Sequence, residues 1–178
     1  MTLADSPVIL VLLDDDGTRR LHLVLAEGWQ VHDAPGTLAV LRPAVDHGWF
    51  RTNVVISREG VPADLDLATV MAAGERHVAA TYDAVEVRSE RVAHCGDAAA
   101  VVRLRAFDVR NEGVRLSQLH ALLDADLEHP HSSARVIYQI VASCLAEDTA
   151  RFQHAFATMI GSCRVHLSPT RERPEEIE

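Results

Sequence analysis

The feature that most constrains this chain is a series of long strand-like segments separated by short turns. Residues 98–109 and 114–123 are rich in apolar side chains, and only Asn111-Glu112-Gly113 and a flanking residue separate them. Strands joined by so short a turn must pair antiparallel, because a parallel pair needs a crossover of a dozen or more residues. The second half of the chain therefore predicts an antiparallel sheet.

Two further segments extend this sheet. Residues 85–92 precede the turn Cys95-Gly96-Asp97, and residues 135–145 follow the polar loop 128–132. The first segment alternates apolar and charged residues and the second is rich in β-branched residues, which are both typical of strands. Four consecutive strands are therefore expected.

The first half of the chain also predicts strands. Val8–Leu13 and Arg19–Leu25 flank an Asp-Asp-Asp-Gly turn, which is the pattern of a hairpin. The segment that starts at Asp14 does not match a calcium-binding EF-hand loop, which needs glycine at its sixth position and glutamate at its twelfth. Here these positions are Arg19 and Leu25. Residues 38–42 and 51–58 follow as strands, and the second has Val54 and Ile56 on one face.

Two helices complete the expected fold. The first begins near Asp64 or Asp66, both good N-cap residues, and the second begins at Asp148. Each carries an apolar stripe at helical spacing. The stripes are Leu67, Val70, Met71, Gly74, Val78 and Thr81 in the first helix, and Phe152, Ala155, Phe156, Met159, Ile160 and Cys163 in the second.

This order of elements predicts the α+β class, with an antiparallel β-sheet flanked by helices. Residues 164–167 are expected to add a short final strand. Residues 1–167 are expected to form a single domain, which is a usual size for one. The charged segment 168–178, with its two prolines, is expected to be a flexible tail.

Charge argues against two classes of partner. The formal net charge is −9, which repels nucleic acid and anionic membrane surfaces. No run approaches the roughly 20 apolar residues of a membrane helix, and residues 1–13 lack the basic start of a signal peptide. We therefore expect no nucleic acid, no membrane and a cytoplasmic location. All basic residues are arginine, which favours an actinobacterial, high-GC source.

Catalytic and cofactor motifs are missing from the sequence. Phosphate-binding loops of the Walker type need lysine, which the chain does not contain, and no G-x-G-x-x-G is present. Gly161-Ser162-Cys163 lacks the second glycine of a nucleophile elbow. The three cysteines form no C-x-x-C motif, and Glu147 and Asp148 should raise the pKa of Cys144. We expect no cofactor and no enzymatic activity.

Histidines offer a possible but weak metal signal. His129 and His131 follow Glu128 in one loop, and imidazole with carboxylate is a zinc-ligand set. A solvated loop is the favoured interpretation, because all these groups lie on one proline-containing segment. His22, His120 and His166 lie on strands and could meet across a sheet.

Three aromatic residues are the candidate binding residues. Aromatic content is only 4%, which argues against a stacking surface for single-stranded nucleic acid. Trp49 and Phe50 lie beside a glycine before a strand, and Trp29 follows Gly28. Exposed aromatic residues are frequent binding hot spots. For the Trp49-Phe50 pair, packing in the core or in a hairpin is the favoured alternative.

Three segments together carry a family resemblance. They are Leu23-Val24-Leu25-Ala26-Glu27-Gly28-Trp29, Thr52-Asn53-Val54-Val55-Ile56-Ser57-Arg58-Glu59, and Val141-Ala142-Ser143-Cys144 followed by Asp148, Phe152, Phe156 and Ile160-Gly161-Ser162. In this order they resemble the PsbP-like superfamily, in particular the actinobacterial LpqN family. The resemblance runs from about His22 to Val165. The chain departs from LpqN because it shows no signal peptide or lipobox.

This resemblance implies an α/β/α sandwich around an antiparallel sheet, without a shared catalytic set. Members of the superfamily serve as a photosystem extrinsic subunit, a Ran-binding transport factor and chaperones for secreted effectors. The resemblance therefore implies a protein-binding or chaperone-like accessory domain, with another protein as the partner or a second copy in a homodimer. The alternative is a small-molecule-binding protein or an enzyme with an unrecognised pocket.

Overall fold

The computed structural model describes residues 7–13, 19–45, 49–94, 101–124 and 134–167. Over these ranges the chain forms ten strands, two α-helices and one 3₁₀ turn. In chain order they are β1 (Val8–Leu13), β2 (Arg19–Leu25), β3 (Trp29–His32), β4 (Ala39–Pro43), β5 (Asn53–Pro62), α1 (Leu67–Thr81), β6 (Ala84–His94), β7 (Val101–Asn111), β8 (Val114–Asp124), β9 (Ala134–Leu145), the 3₁₀ turn (Ala146–Asp148), α2 (Thr149–Gly161) and β10 (Arg164–Leu167).

The strands form two sheets. Seven strands make the larger sheet in the order β3-β4-β5-β9-β8-β7-β6, and three make the smaller one in the order β1-β2-β10. Every neighbouring pair is antiparallel. The predicted α+β class with an antiparallel sheet is confirmed, but the division into two sheets is not visible in the local sequence pattern.

The N-terminal hairpin has the predicted strand bounds. Its two strands pair in unbroken register from Val8 opposite Leu25 to Leu13 opposite Arg20. The connecting Asp-Asp-Asp-Gly segment lies outside the described residues, so its interpretation as a turn stays a prediction. The other side of β2 pairs with β10, which brings residues separated by more than a hundred positions into one sheet.

The two helices lie on opposite faces of the larger sheet. Ile137 packs with Val70 and Met71 of α1. Its neighbour Tyr138 packs in the cluster that contains Phe156 of α2. Because consecutive residues of a strand point to opposite faces, the helices must lie on opposite sides. This arrangement is the α/β/α sandwich that the resemblance implied.

The smaller sheet shares a core with α2. Leu21 and Leu23, on one face of β2, are almost fully buried and belong to the same cluster as Phe156. The backbone N–H of Val24 donates to Ser162 Oγ at 2.9 Å, just after α2 ends. This contact joins the second strand to the end of the second helix.

The helix starts agree with the predicted positions, with one difference in chemistry. Asp66 caps α1, and its Oδ1 accepts from the Thr69 N–H at 2.6 Å. Asp148 precedes α2 but makes no capping hydrogen bond through its side chain. The 3₁₀ turn before it supplies the entry to α2 instead. In the part of the chain that the structure describes, no helix has the length and hydropathy to span a membrane.

Candidate binding site

Trp49 and Phe50, two of the three predicted binding residues, lie between β4 and β5 and differ in exposure. Trp49 is 71% exposed. Its ring meets that of Phe50 edge-on, with the ring centroids 6.2 Å apart. Phe50 packs against the buried cluster that contains Phe107 and Leu116. Phe50 therefore anchors this segment to the sheet, while Trp49 presents its ring to solvent.

Trp29, the third predicted residue, is buried and not part of a surface site. It is 8% exposed. Its ring lies edge-on to Phe152 and Phe156, at centroid distances of 6.1 and 5.9 Å. The structure therefore gives this residue a role in the core. We therefore leave Trp29 out of the candidate site.

Trp49 borders an open cleft of about 620 Å³. The cleft lies where the turn between β7 and β8 meets the end of β9 and the following 3₁₀ turn. Its charged residues are Arg88, Asp108, Arg115 and Glu147. The volume is within the range of about 300–1,000 Å³ that ligand-binding clefts occupy.

Strand register assembles the floor of this cleft. Asp108 of β7 lies opposite Ser117 of β8, and Ser117 lies opposite Cys144 of β9. Residues directly opposite each other in an antiparallel pair point to the same face, here the face that bears α2. A bulge between Val87 and Ser89 interrupts the pairing of β6 with β7. Such a bulge re-aims a side chain, here that of Arg88, toward Asp108 and Ser117.

Arg88 and Arg115 both face the Asp108 carboxylate. Arg88 Nε lies 3.2 Å from Asp108 Oδ1, and its Nη2 donates to Ser117 Oγ. Arg115 Nη2 lies 4.0 Å from Asp108 Oδ2. The Asp108 side chain is 17% exposed, so its charge needs a close cation. The Arg115 side chain lines the cleft and is 58% exposed.

The turn between β7 and β8 fixes the position of Arg115. Glu112 and Gly113 both have positive φ, 51° and 81°, which is the backbone of a two-residue type I′ hairpin. The Glu112 N–H donates to Asp83 Oδ2 at 2.9 Å, which ties the turn to the segment after α1. The hairpin backbone and the hydrogen bond to Asp83 therefore both fix the turn that forms this wall of the cleft.

Cys144, beneath the cleft, is not an activated nucleophile. It is fully buried. The pKa of its thiol is raised to about 11, mainly by burial and in part by the charges of Asp148 and Asp108, while a hydrogen bond with Thr149 and the charge of Arg88 act to lower it. The expected direction is confirmed, although burial is a larger cause than any neighbouring carboxylate. At neutral pH the group is a thiol, which is a poor nucleophile.

Of the three strand histidines expected to meet across a sheet, two lie close together and the third does not. The rings of His22 and His166 lie 4.5 Å apart between centroids, on neighbouring strands of the smaller sheet. His120 lies instead against Phe107, at 4.8 Å. Among the described residues there is no group of three or more histidine, cysteine or acidic side chains able to hold a metal ion. His129 and His131 lie outside the described residues.

Sequence reasoning missed Arg88, Asp108 and Arg115. Each resembles an ordinary charged residue on a strand, and only the register of three strands brings them together. One signal was present in the sequence, because the alternation of Val85 and Val87 does not continue at residue 89. A break of that kind inside a strand is typical of a bulge.

The fold is similar to that of PsbP-like α+β proteins. No family model and no curated protein matches the chain by sequence. Among solved structures, LpqN of Mycobacterium tuberculosis, involved in cell envelope biogenesis, matches with a TM-score of 0.69 at 11% identity, over 93% of both chains.

Two other solved structures share the fold. Cyanobacterial PsbP from Synechocystis sp. PCC 6803 matches with a TM-score of 0.59 at 13% identity, over 94% of this chain and 98% of its own. The Ran-binding protein Mog1p of Saccharomyces cerevisiae matches with a TM-score of 0.53 at 12% identity, over 91% and 96%. The expected resemblance is thus confirmed at the level of fold.

Proposed function

We propose that this chain is a non-catalytic accessory domain that binds another protein through the cleft beside Trp49. The observation that carries the proposal is a 71%-exposed tryptophan held in place by the partly buried Phe50, which packs against a buried cluster. Tryptophan and arginine are enriched at the hot spots of protein interfaces. Here Trp49 lies beside a cleft lined by Arg88 and Arg115.

The solved structures with this fold support the kind of role without naming a partner. Mog1p is described as Ran-binding, and LpqN as involved in cell envelope biogenesis. Their identities to this chain are 12% and 11%, so the partner of this chain has to be found from its own surface. The state of Cys144, a buried thiol with a raised pKa, supports the non-catalytic part of the proposal.

Affinity capture with a matched pair of variants tests this function. The tagged full chain is used as bait in a lysate of its own source, beside Trp49→Ala and Val92→Ala. Val92 is 55% exposed on β6 and is not among the residues that line the cleft. We expect a partner that wild type and Val92→Ala retain and that binds Trp49→Ala about 30-fold more weakly, as for a hot-spot tryptophan worth about 2 kcal/mol.

Two results would contradict the proposal. Recovery of no partner above background by the wild-type chain argues against a protein-binding role. Equal binding by wild type and Trp49→Ala argues against the cleft as the binding surface. Circular dichroism of the variants checks that each retains its fold, which the exposure of Trp49 and Val92 leads us to expect.

A small-molecule ligand is the second candidate function, and the cleft favours it. Arg88, Asp108 and Arg115 converge in about 620 Å³, with room for a ligand that bears a carboxylate. Arginine donates two parallel hydrogen bonds to such a group. A rise in melting temperature on adding a panel of small carboxylates, lost in Arg115→Gln, would favour this candidate over a protein partner.

A cytoplasmic location belongs to the same proposal. The envelope role of LpqN supplies the competing expectation. Fractionation of source cells, with detection of the chain by antibody, distinguishes the two locations.

A further inference from the structure

Each sheet has two edge strands, and three of the four edges carry features that hinder pairing with another strand. β6 carries charges along its length and a bulge between Val87 and Ser89. β3 and β10 have only four residues each, with polar residues such as Gln30 and Arg164 among them. Charge, bulges and short length are the usual means by which proteins protect exposed sheet edges.

β1 has none of these features. It consists of six apolar residues, Val8–Leu13, and contains no charge, no proline and no glycine. It pairs with β2 residue by residue without a bulge, and in the described sheet nothing pairs with its other side. Six uncharged apolar residues, three of them β-branched, on an edge that no described strand pairs with form a strong template for strand addition.

The side chains of β1 are also unusually exposed. Four of the nine large hydrophobic residues that are exposed in the described part of the chain lie on this one strand. They are Val8, Ile9, Val11 and Leu13, at 44% to 62% exposure. Ile9, Val11 and Leu13 form the outer face, while Leu10 and Leu12 point the other way and pack against the core. Val8 is on the same face as Leu10 and is exposed at the start of the strand. The inner face of the strand therefore packs on the core, while no other described strand pairs with its edge and its outer face is exposed.

We propose that β1 is a homodimer interface, at which two copies of the chain pair edge to edge as antiparallel strands. The occupant must be an uncharged strand, because a charged one would lose hydration against these apolar side chains. β1 itself meets this requirement, since any register between two copies sets apolar residues opposite apolar residues. A two-fold axis then closes the assembly as a single six-stranded sheet with β1 of both copies at its centre.

The net charge of the chain predicts how the affinity of this dimer depends on salt. Each chain carries a formal net charge of −9, so two copies repel each other at long range, although the pairing strands are neutral. Added salt screens that repulsion and leaves the apolar contact intact. Dimerisation through β1 should therefore strengthen as salt rises. An ion-paired interface would weaken instead.

Sedimentation equilibrium on the full chain tests the interface with two variants. Val11→Lys places a charge on the outer face of β1, and Val92→Lys places one on β6, which is also an edge strand. We expect wild type and Val92→Lys to dimerise with the same affinity, and Val11→Lys to do so at least about 10-fold more weakly. The test does not depend on the cleft, so a failed capture experiment leaves it intact.

Three outcomes would overturn the dimer. They are a wild-type chain that stays monomeric at every concentration, a Val11→Lys dimer as tight as wild type, and open-ended assembly in place of a closed dimer. Hydrogen exchange of the wild-type chain covers the case in which Val11→Lys fails to fold. Amides of β1 should gain protection as protein concentration rises, and unchanged protection would count against pairing.

Discussion

At the scale of single residues, His120 is the group whose burial most affects its chemistry. It lies beneath α1 against Phe107, and its Nε2 is 3.1 Å from Gln118 Oε1. Burial lowers its pKa from 6.5 to about 4. The folded chain therefore holds a neutral imidazole at pH values where the unfolded chain binds a proton.

This difference predicts a loss of stability in acid. As the pH falls from 6.5 toward 4, His120 binds a proton in the unfolded state but not in the folded state. The free energy of unfolding therefore falls. Each unit of pKa difference corresponds to about 1.4 kcal/mol, so the loss from His120 by pH 4.5 should be on the order of 2 kcal/mol. His120→Gln should remove that part of the pH dependence.

Urea denaturation at pH 7 and pH 4.5 measures the effect. The exposed His154 supplies the control, because His154→Gln leaves His120 in place and should lose as much stability as wild type. An equal loss in His120→Gln and wild type would contradict the assignment.

At the scale of elements, the start of α1 resolves an alternative that the sequence leaves open between Asp64 and Asp66. Only Asp66 is at the N-cap, where its carboxylate accepts the Thr69 N–H. Asp66→Ala should therefore lower the free energy of unfolding by about 1 kcal/mol. Asp64→Ala is the matched control and should change it by less than about 0.5 kcal/mol. Chemical denaturation compares the two, and equal effects would contradict the cap assignment.

Local pattern predicted most elements because each carries its own signal. The alternation of Leu21, Leu23 and Leu25 is sufficient to define β2, and the spacing of Phe152, Phe156 and Met159 defines α2. The 3₁₀ turn before α2 escaped prediction, because Asp148 is a good cap by residue type. Whether the Asp148 side chain caps the helix depends on its backbone conformation, with φ −92° and ψ 1°, which residue type alone does not reveal.

The candidate site was less predictable than the elements. Trp49 was found from its residue type and its place beside Gly48, but the same reasoning also selected Trp29, which the structure buries. Hydrophobicity cannot separate an exposed tryptophan from a core tryptophan when both follow a glycine. The ion pair of Arg88 with Asp108 depends on a bulge and on strand register, which no short window of sequence contains.

At the scale of the whole molecule, β10 is the last described element and pairs with β2. β10 completes the smaller sheet, and Val165 packs against the main core. The sequence predicts a domain over residues 1–167 and a flexible tail over 168–178. The decisive boundary should therefore lie just after Leu167.

Two truncations test this boundary. A chain ending at residue 167 should unfold with the same free energy as the full chain, since only the predicted tail is removed. A chain ending at residue 163 also loses β10 and should be destabilised by at least about 2 kcal/mol, because it exposes one side of β2 and part of the core. Thermal or urea denaturation compares the three chains. A large loss in the longer truncation would show that residues 168–178 belong to the fold.

The opposite environments of the two tryptophans have a practical consequence for spectroscopy. Trp29 is enclosed by Phe152 and Phe156, and Trp49 projects into solvent. A buried indole emits at shorter wavelength than a hydrated one and is shielded from iodide. The unmodified chain therefore contains two intrinsic fluorophores that report on different events. The blue-shifted emission of Trp29 should report on unfolding, and the quenchable, red-shifted emission of Trp49 should report on occupation of the cleft.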